Sequence, residues 1–172
     1  MKTASSTSRE VANTPPLRNE IESLLFELST QRFALPLDDI AEVVRAVAVR
    51  TLPKAPAITL GIIDVRGEIV PVLDVRSRFG LPRKAVEPSD HFLIARVGSR
   101  RVALHVDRAA GVAMLAVLPL TAADNLAASL AHVAGIAATA DGLVLIQDLS
   151  AFLSQAEAEQ LEAALPEEPA AE

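Results

Sequence analysis

His105 and Asp107 are the first residues of this sequence whose types and spacing could do chemistry. They stand two positions apart in a predicted strand, so they share a face, and a carboxylate there can orient an imidazole for proton transfer. The other histidines, His91 and His132, are scattered along the chain, and no third ligand or nucleophile accompanies the pair. The pattern therefore favours a polar pair on the protein surface over a catalytic site.

Two carboxylates, Asp64 and Asp74, raise a second chemical possibility, because close carboxylates can split their pKa values and act as acid and base. Each begins an Asp-Val-Arg triplet, so each has a cation nearby. The chain carries no nucleophile elbow, phosphate-binding loop or zinc-helix motif, and no cysteine. We therefore expect solvated salt partners at these aspartates, no catalytic residue, no metal site and no cofactor.

Arg96 and Arg100 have the RxxxR spacing with which PilZ domains grip the phosphates of cyclic di-GMP, and guanidinium forks suit phosphates. PilZ domains also carry a downstream DxSxxG motif. Its nearest counterpart here begins at Asp148 and has Leu153 in place of the final glycine. A cyclic di-GMP receptor that uses Arg96 and Arg100 is the alternative function, whereas two arginines on a hairpin surface explain the same spacing without a ligand.

The charge of the chain is unevenly placed. The 172 residues include 16 Lys and Arg against 22 Asp and Glu, and six of those carboxylates fall within residues 155–172, which contain no Lys or Arg. The body is therefore neutral, and with 3% aromatic residues it does not suit a nucleic-acid binder. The N-terminus lacks a secretory signal, and no uncharged stretch is long enough to span a membrane. We expect a cytoplasmic protein.

The elements that must position these residues are mostly short strands. Turn signals separate them, notably Arg66-Gly67 between two β-branched runs and Gly98-Ser99 between two more. Pro71 places its strand at an edge or a bulge. Asp38-Asp39 could cap one helical turn through Ile40-Ala41. The predicted strands are Leu24–Leu28, Phe33–Leu37, Val43–Val49, residues 61–65 and 68–76, Phe92–Val97, Arg101–Asp107, Val112–Leu118, Val133–Ala138 and Leu143–Gln147.

One helix closes the chain. Ser154 and Glu157 form a capping box, and the Ala/Glu-rich segment that follows should end before Pro166. Eight to ten short strands with regular turns predict an all-β barrel or sandwich. We divide the chain into a flexible leader (1–22), a domain (23–153), and an acidic C-terminal helix and tail (154–172).

The chain resembles the CheW family of chemosensory adaptors along about 130 residues, from Leu24 to Phe152. The most specific match is residues 61–80, which read GIIDVRGEIVPVLDVRSRFG. Shorter matches flank this run at Phe26-Glu27-Leu28, Phe33-Ala34-Leu35-Pro36-Leu37, Ile40-Ala41-Glu42-Val43, residues 52–56, Val106-Asp107 and residues 141–149.

The resemblance implies two intertwined five-stranded SH3-like barrels around a shared core, with a C-terminal helix. It implies a non-catalytic adaptor that couples the cytoplasmic tip of a methyl-accepting receptor to the regulatory domain of the histidine kinase CheA. Such a protein is cytoplasmic and is recruited to membrane receptor arrays, with neither nucleic acid as a partner nor direct membrane insertion.

By resemblance, Arg66 is the receptor-contact arginine, and a guanidinium fork suits carboxylates or carbonyls on a partner helix. The resemblance adds further receptor contacts and a set of positions that serve backbone geometry. The contacts are Glu42, Ile40, Val43 and Val112, and the structural positions are Gly61, Gly67, Pro71 and Asp74.

Three positions depart from the family pattern. The family favours Asn at Asp64, a glycine at Ala103 and an aromatic residue near residues 58–60. Each change touches a face of the domain and leaves its scaffold intact. The departures bear on partner identity, and they allow an alternative pathway such as surface sensing or pilus motility.

Overall fold

The computed structural model describes residues 19–119 and 132–166. The predicted leader and acidic tail fall mainly outside the described residues. Ten strands, three short 3₁₀ helices and one α-helix make up the described part of the chain. The strands are β1 (Asn19–Leu28), β2 (Gln31–Pro36), β3 (Ile40–Arg45), β4 (Thr59–Val65), β5 (Glu68–Leu73), β6 (His91–Val97), β7 (Arg100–Val106), β8 (Arg108–Pro119), β9 (Val133–Thr139) and β10 (Gly142–Gln147); the 3₁₀ helices are Leu37–Asp39, Val75–Phe79 and Leu149–Ala151, and α1 is Gln155–Ala164.

The first unit is a closed barrel in the order β1-β2-β10-β9-β8. Its seam is a parallel ladder between β2 and β10 that pairs only Phe33 with Leu145 and Ala34 with Ile146. Small and branched side chains fill its interior, as the narrow bore of a five-stranded barrel requires. They are Ala34, Leu115, Val117, Ala137, Val144 and Ile146.

The second unit is a five-stranded sheet in the order β3-β6-β7-β5-β4, inserted in the chain between β2 and β8. The chain leaving β3 crosses to β4, where Arg50 and Ile62 exchange two backbone hydrogen bonds of 2.9 and 2.7 Å. This bridge joins the two edges of the sheet. It requires Gly61, because a Cβ there would overlap the Arg50 carbonyl oxygen and lie 2.7 Å from Val49 Cγ1.

A shared core lies between the two units, formed by the outer faces of both. Phe26 and Phe33 of the first barrel stack at 5.8 Å, and Phe79 extends the stack at 4.7 Å from Phe33. Leu93 and Leu104 meet them from the second sheet, fully buried. Burial of side chains of this size stabilises the fold by about 2 to 3 kcal/mol each. The expected pair of intertwined five-stranded SH3-like barrels with a C-terminal helix is confirmed.

The C-terminal helix α1 begins as the sequence predicts. The Ser154 hydroxyl accepts from the Glu157 backbone N–H, and the Glu157 carboxylate accepts from the Ser154 N–H. Leu165 ends the helix before Pro166. Arg78 ion-pairs with Glu157 and Leu161 is buried, so the helix is held against the domain. Within the described residues, no helix is long and apolar enough to cross a membrane.

Some predicted boundaries and placements are wrong. The structured chain starts by Asn19, because Ile21 packs into the barrel interior and residues 19–22 pair with β8. The predicted strand Val43–Val49 ends at Arg45, since the chain then crosses toward β4. The helical turn expected through Ile40-Ala41 is absent there: the 3₁₀ helix is Leu37–Asp39, and Ile40 and Ala41 begin β3.

Pro71 lies in an inner strand, not at an edge. β5 is flanked by β4 and β7. The parallel ladder to β7 begins one residue later, at Val72, so the missing N–H of Pro71 costs that ladder no hydrogen bond. The nearby bulge is in β4, where the register shifts between Thr59 and Gly61.

Candidate functional site

The hairpin of β4 and β5 carries the candidate site at its tip. Its two-residue turn is Arg66-Gly67, with φ angles of 53° and 87°. Two positive φ values in a two-residue loop are typical of a type I′ turn, whose twist matches that of the flanking strands. The Asp64 carboxylate accepts a 2.6 Å hydrogen bond from the Gly67 N–H and fixes the turn. The turn therefore projects Arg66 from a rigid support, and its side chain is 80% exposed.

An ion-pair chain links this tip to the neighbouring strands. The Arg66 guanidinium lies 2.8 Å from the Glu42 carboxylate of β3. Glu42 is also 2.9 Å from Arg101 of β7, and Arg101 is 2.6 Å from Glu68 of β5. Hydrogen bonding to Glu68, and then to Glu42, raises the pKa of Arg101 against the opposing effect of burial. Glu42 is thus held from one side while it orients Arg66 from the other.

The structure brings together two of the five predicted contact residues, Arg66 and Glu42. Ile40 lies on the same strand as Glu42, but it is half-buried and packs against the shared core. Val43 is 39% exposed. Val112 is 52% exposed on β8, opposite Leu24 in the first barrel, whereas Arg66 belongs to the second sheet. The five residues therefore occupy both units of the domain.

The four predicted structural positions lie outside the ion-pair chain. Gly67 forms the turn, and Gly61 allows the close approach of Arg50. Pro71 is buried in β5. Asp74 is buried and accepts a 3.1 Å hydrogen bond from the Arg76 N–H at the start of the 3₁₀ helix Val75–Phe79.

Sequence reasoning missed the middle of the ion-pair chain. The sequence pattern does not indicate that Arg101 and Glu68 form a pair, because they are far apart in the sequence. Alternation along β7 does place Arg101 on the face of Ala103, which lines the interior of the second sheet. That signal indicates a partly covered arginine, but it does not identify the carboxylates that meet it.

His105 and Asp107 do not form the surface pair that the sequence predicts. His105 is buried, and its Nε2 lies 2.7 Å from an oxygen of Asp90, which is also buried. The prediction fails because both faces of β7 are covered: Leu104 faces the shared core, and Ala103, on the face of His105, packs in the interior of the second sheet. Lys84 Nζ bridges Asp90 at 2.7 Å and Asp107 at 3.3 Å, and Asp107 also ion-pairs with Arg76.

This buried network has the electrostatics of a structural cross-link. Burial alone raises the pKa of Asp90, but hydrogen bonds from Lys84 and His105 outweigh it and hold that pKa below the ordinary value. Hydrogen bonds from Arg76 and Ser29 likewise lower the pKa of Asp107 against burial. Ser29 lies in the turn between β1 and β2 of the first barrel, whereas Arg76 follows β5 of the second sheet, so the network ties the two units together.

The other residues that the sequence offers for chemistry do not come together in one site. Asp64 and Asp74 each serve a local turn, as described above. Arg100 ion-pairs with Glu162 of α1, with a 2.9 Å contact from Nε, while Arg96 lies in β6. Within the described residues, no cluster of His, Cys, Asp and Glu could hold a metal ion.

Comparison with known proteins gives one consistent family. A family model described as the CheW-like domain matches residues 22–157. The chemotaxis protein CheW of Treponema pallidum is 29% identical over 97 residues, 54% of this chain and 57% of that protein. The CheW of Rhizobium meliloti is 34% identical over 88 residues, 50% of this chain and 56% of that protein. These alignments therefore span little more than half the length of either relative.

Longer matches cover most of the chain. The CheW of Klebsiella aerogenes is 24% identical over 138 residues, 79% of this chain and 83% of that protein. The crystal structure of the scaffolding protein TtCheW from Thermoanaerobacter tengcongensis matches with a TM-score of 0.65 and 29% identity, over 76% of this chain and 90% of that chain. The region that the CheW-like model matches includes both Arg96 and Arg100, and the cyclic di-GMP alternative is not supported.

Proposed function

The chain belongs to the CheW-like domain family, and we propose that it is a non-catalytic adaptor in a bacterial chemosensory array. It couples the cytoplasmic tip of a methyl-accepting chemoreceptor to the regulatory domain of a CheA-type histidine kinase. One observation carries the proposal for the site: Arg66 is 80% exposed on a rigid turn, yet its guanidinium is oriented by Glu42. An exposed arginine with a fixed direction is suited to a contact with a partner.

The energetics support a binding role for Arg66 over a role in stability. An exposed ion pair contributes about 0 to 1 kcal/mol to folding, because solvent screens it and two side chains must be ordered. The same guanidinium against a partner helix can donate to two acceptors at once. Its side-chain entropy is already reduced by Glu42, so less is lost on binding.

Val43 and Val112 supply exposed apolar surface that would accompany the charged contact. Half-exposed valines on strands suit the apolar stripe of a helical receptor tip. Ile40, half-buried against the shared core, would act by supporting β3. The kinase would be bound at a separate surface, so that receptor and kinase are held together, and the protein would reach the membrane through its receptor.

Replacement of Arg66 tests the proposal. The matched control is Arg108, which is 59% exposed and also pairs with one glutamate, Glu27, at 3.0 Å. Co-sedimentation of Arg66→Ala and Arg108→Ala with vesicles that carry a methyl-accepting receptor measures binding, with and without the kinase. We expect Arg66→Ala to lose at least tenfold in affinity and Arg108→Ala to bind like the parent.

Thermal unfolding of both variants separates binding from folding. Both melting temperatures should lie within about 3 °C of the parent, since each variant loses one exposed ion pair. Parent-like binding by Arg66→Ala would remove Arg66 from the interface. Failure of the parent protein to bind receptor at all would remove the proposed function.

A further inference from the structure

Arg96 and Arg101 stand directly opposite each other in the ladder of β6 and β7. Directly paired residues of antiparallel strands point to the same face with their Cβ atoms about 5 Å apart, and like charges at such a pair repel. Arg101 is compensated by Glu42 and Glu68. Arg96 is exposed, and no described carboxylate lies within ion-pair distance of it.

At the end of the second sheet around the ion-pair chain, Arg96 is the arginine that lacks a carboxylate partner among the described residues. Arg66, Arg96 and Arg101 lie there with three carboxylates, those of Glu42, Glu68 and Asp64, the last of which accepts a hydrogen bond within the turn. The two exposed arginines leave guanidinium groups available to a partner on one surface.

We propose that Arg96 is a second contact beside Arg66, and that the partner segment bound here carries carboxylates. This rests on the proposed function and names the chemistry of the receptor surface that the site recognises. Carboxylates fit better than phosphates, because Glu42 and Glu68 lie within the same cluster and repel a multiply charged anion more strongly than a single carboxylate. The uncompensated charge of Arg96 would also favour encounter with a receptor segment that carries carboxylates.

The salt dependence of receptor binding by Arg96→Gln tests the proposal. This substitution removes the charge, keeps most of the length of the side chain and relieves the repulsion with Arg101. At about 0.05 M salt we expect Arg96→Gln to bind receptor vesicles about tenfold more weakly than the parent. At about 0.5 M salt the difference should shrink to less than threefold, because screening weakens the charge contact in the parent.

Three further measurements serve as controls. Arg108→Gln, which removes an exposed charge from the first barrel, should bind like the parent at both salt concentrations. The melting temperature of Arg96→Gln should equal or exceed that of the parent, so weaker binding would not reflect unfolding. Calorimetric titration with cyclic di-GMP should give no binding heat with the parent or with Arg96→Gln.

Each other outcome overturns the inference. Parent-like affinity of Arg96→Gln at low salt excludes Arg96 as a contact, and an equal loss in Arg108→Gln shows an effect of net charge alone. Binding heat with cyclic di-GMP that disappears in Arg96→Gln assigns the site to a nucleotide. If the parent binds receptor and Arg96→Gln binds with the same affinity, the proposed function stands without this contact. If the parent does not bind receptor, the proposed function and this inference both fail.

Discussion

Substitution of Gly61 by alanine should be among the most damaging single changes in the second unit. Gly61 has φ +150°, and an added Cβ would overlap the Arg50 carbonyl oxygen and lie 2.9 Å from the carbonyl carbon. Both obstacles are backbone atoms of the bridge that joins β4 to the chain leaving β3, so they cannot rotate away. The alanine must break the bridge to be accommodated.

The expected loss of unfolding free energy in Gly61→Ala has two contributions. The unfavourable φ costs about 1 to 2 kcal/mol for any residue with a Cβ. Loss of the two backbone hydrogen bonds between Arg50 and Ile62 adds about 2 kcal/mol. The total of about 3 to 4 kcal/mol corresponds to a fall of about 10 °C in melting temperature for a domain of this size.

Gly142→Ala is the matched control, because Gly142 has φ +123° and no atom lies within 4 Å of a Cβ added there. It should cost only the contribution from φ, about 1 to 2 kcal/mol. Urea unfolding followed by far-ultraviolet circular dichroism is the appropriate assay, since the chain has no Trp or Tyr to serve as a fluorescent probe. Equal losses of unfolding free energy in the two variants would refute the steric argument.

Two further predictions concern the buried network and the helix cap. The interactions that lower the pKa values of Asp90 and Asp107 stabilise the fold, and this stabilisation is complete at pH values above the ordinary pKa of 3.8. It is lost as the pH falls through the lower pKa values of the folded state. Asp107→Asn should therefore flatten the pH dependence of the unfolding free energy below about pH 4; acid titrations with the slope of the parent would contradict this. Ser154→Ala should cost about 1 kcal/mol and speed amide hydrogen exchange in the first turn of α1, and unchanged exchange at Ala158 would show that the Glu157 half of the cap suffices.

Local signals in the sequence predict much of the fold. The β-branched runs around Arg66-Gly67 and the Ser154–Glu157 capping box depend on neighbours in the chain, and both appear where expected. Alternation along β7 assigns its two faces to two different cores. These features rely on backbone geometry within a few residues, which is the range over which sequence patterns are informative.

The ion-pair chain could not be predicted in the same way. Glu42 and Arg101 are 59 positions apart, and they meet because β6 lies between their strands in a particular register. The sequence pattern places His105 at the surface, because alternation along one strand does not reveal that both of its faces are covered. The family resemblance identified Arg66 and Glu42 as relevant, but only the register shows that Arg101 holds Glu42.

The insertion of the second sheet within the first barrel has a consequence for folding during synthesis on the ribosome. All strands of the second sheet lie between Ile40 and Val106, so that unit is complete while the C-terminal third of the chain is still being made. The seam of the first barrel pairs Phe33 with Leu145, about 110 residues later, so β1 and β2 must wait for β10. Until then the apolar stripe of Phe26 and Phe33 can be shielded by the outer face of the finished second sheet. The outer face of the second sheet thereby holds β1 and β2 in place until β10 is made. The high contact order of the first barrel favours its slow closure.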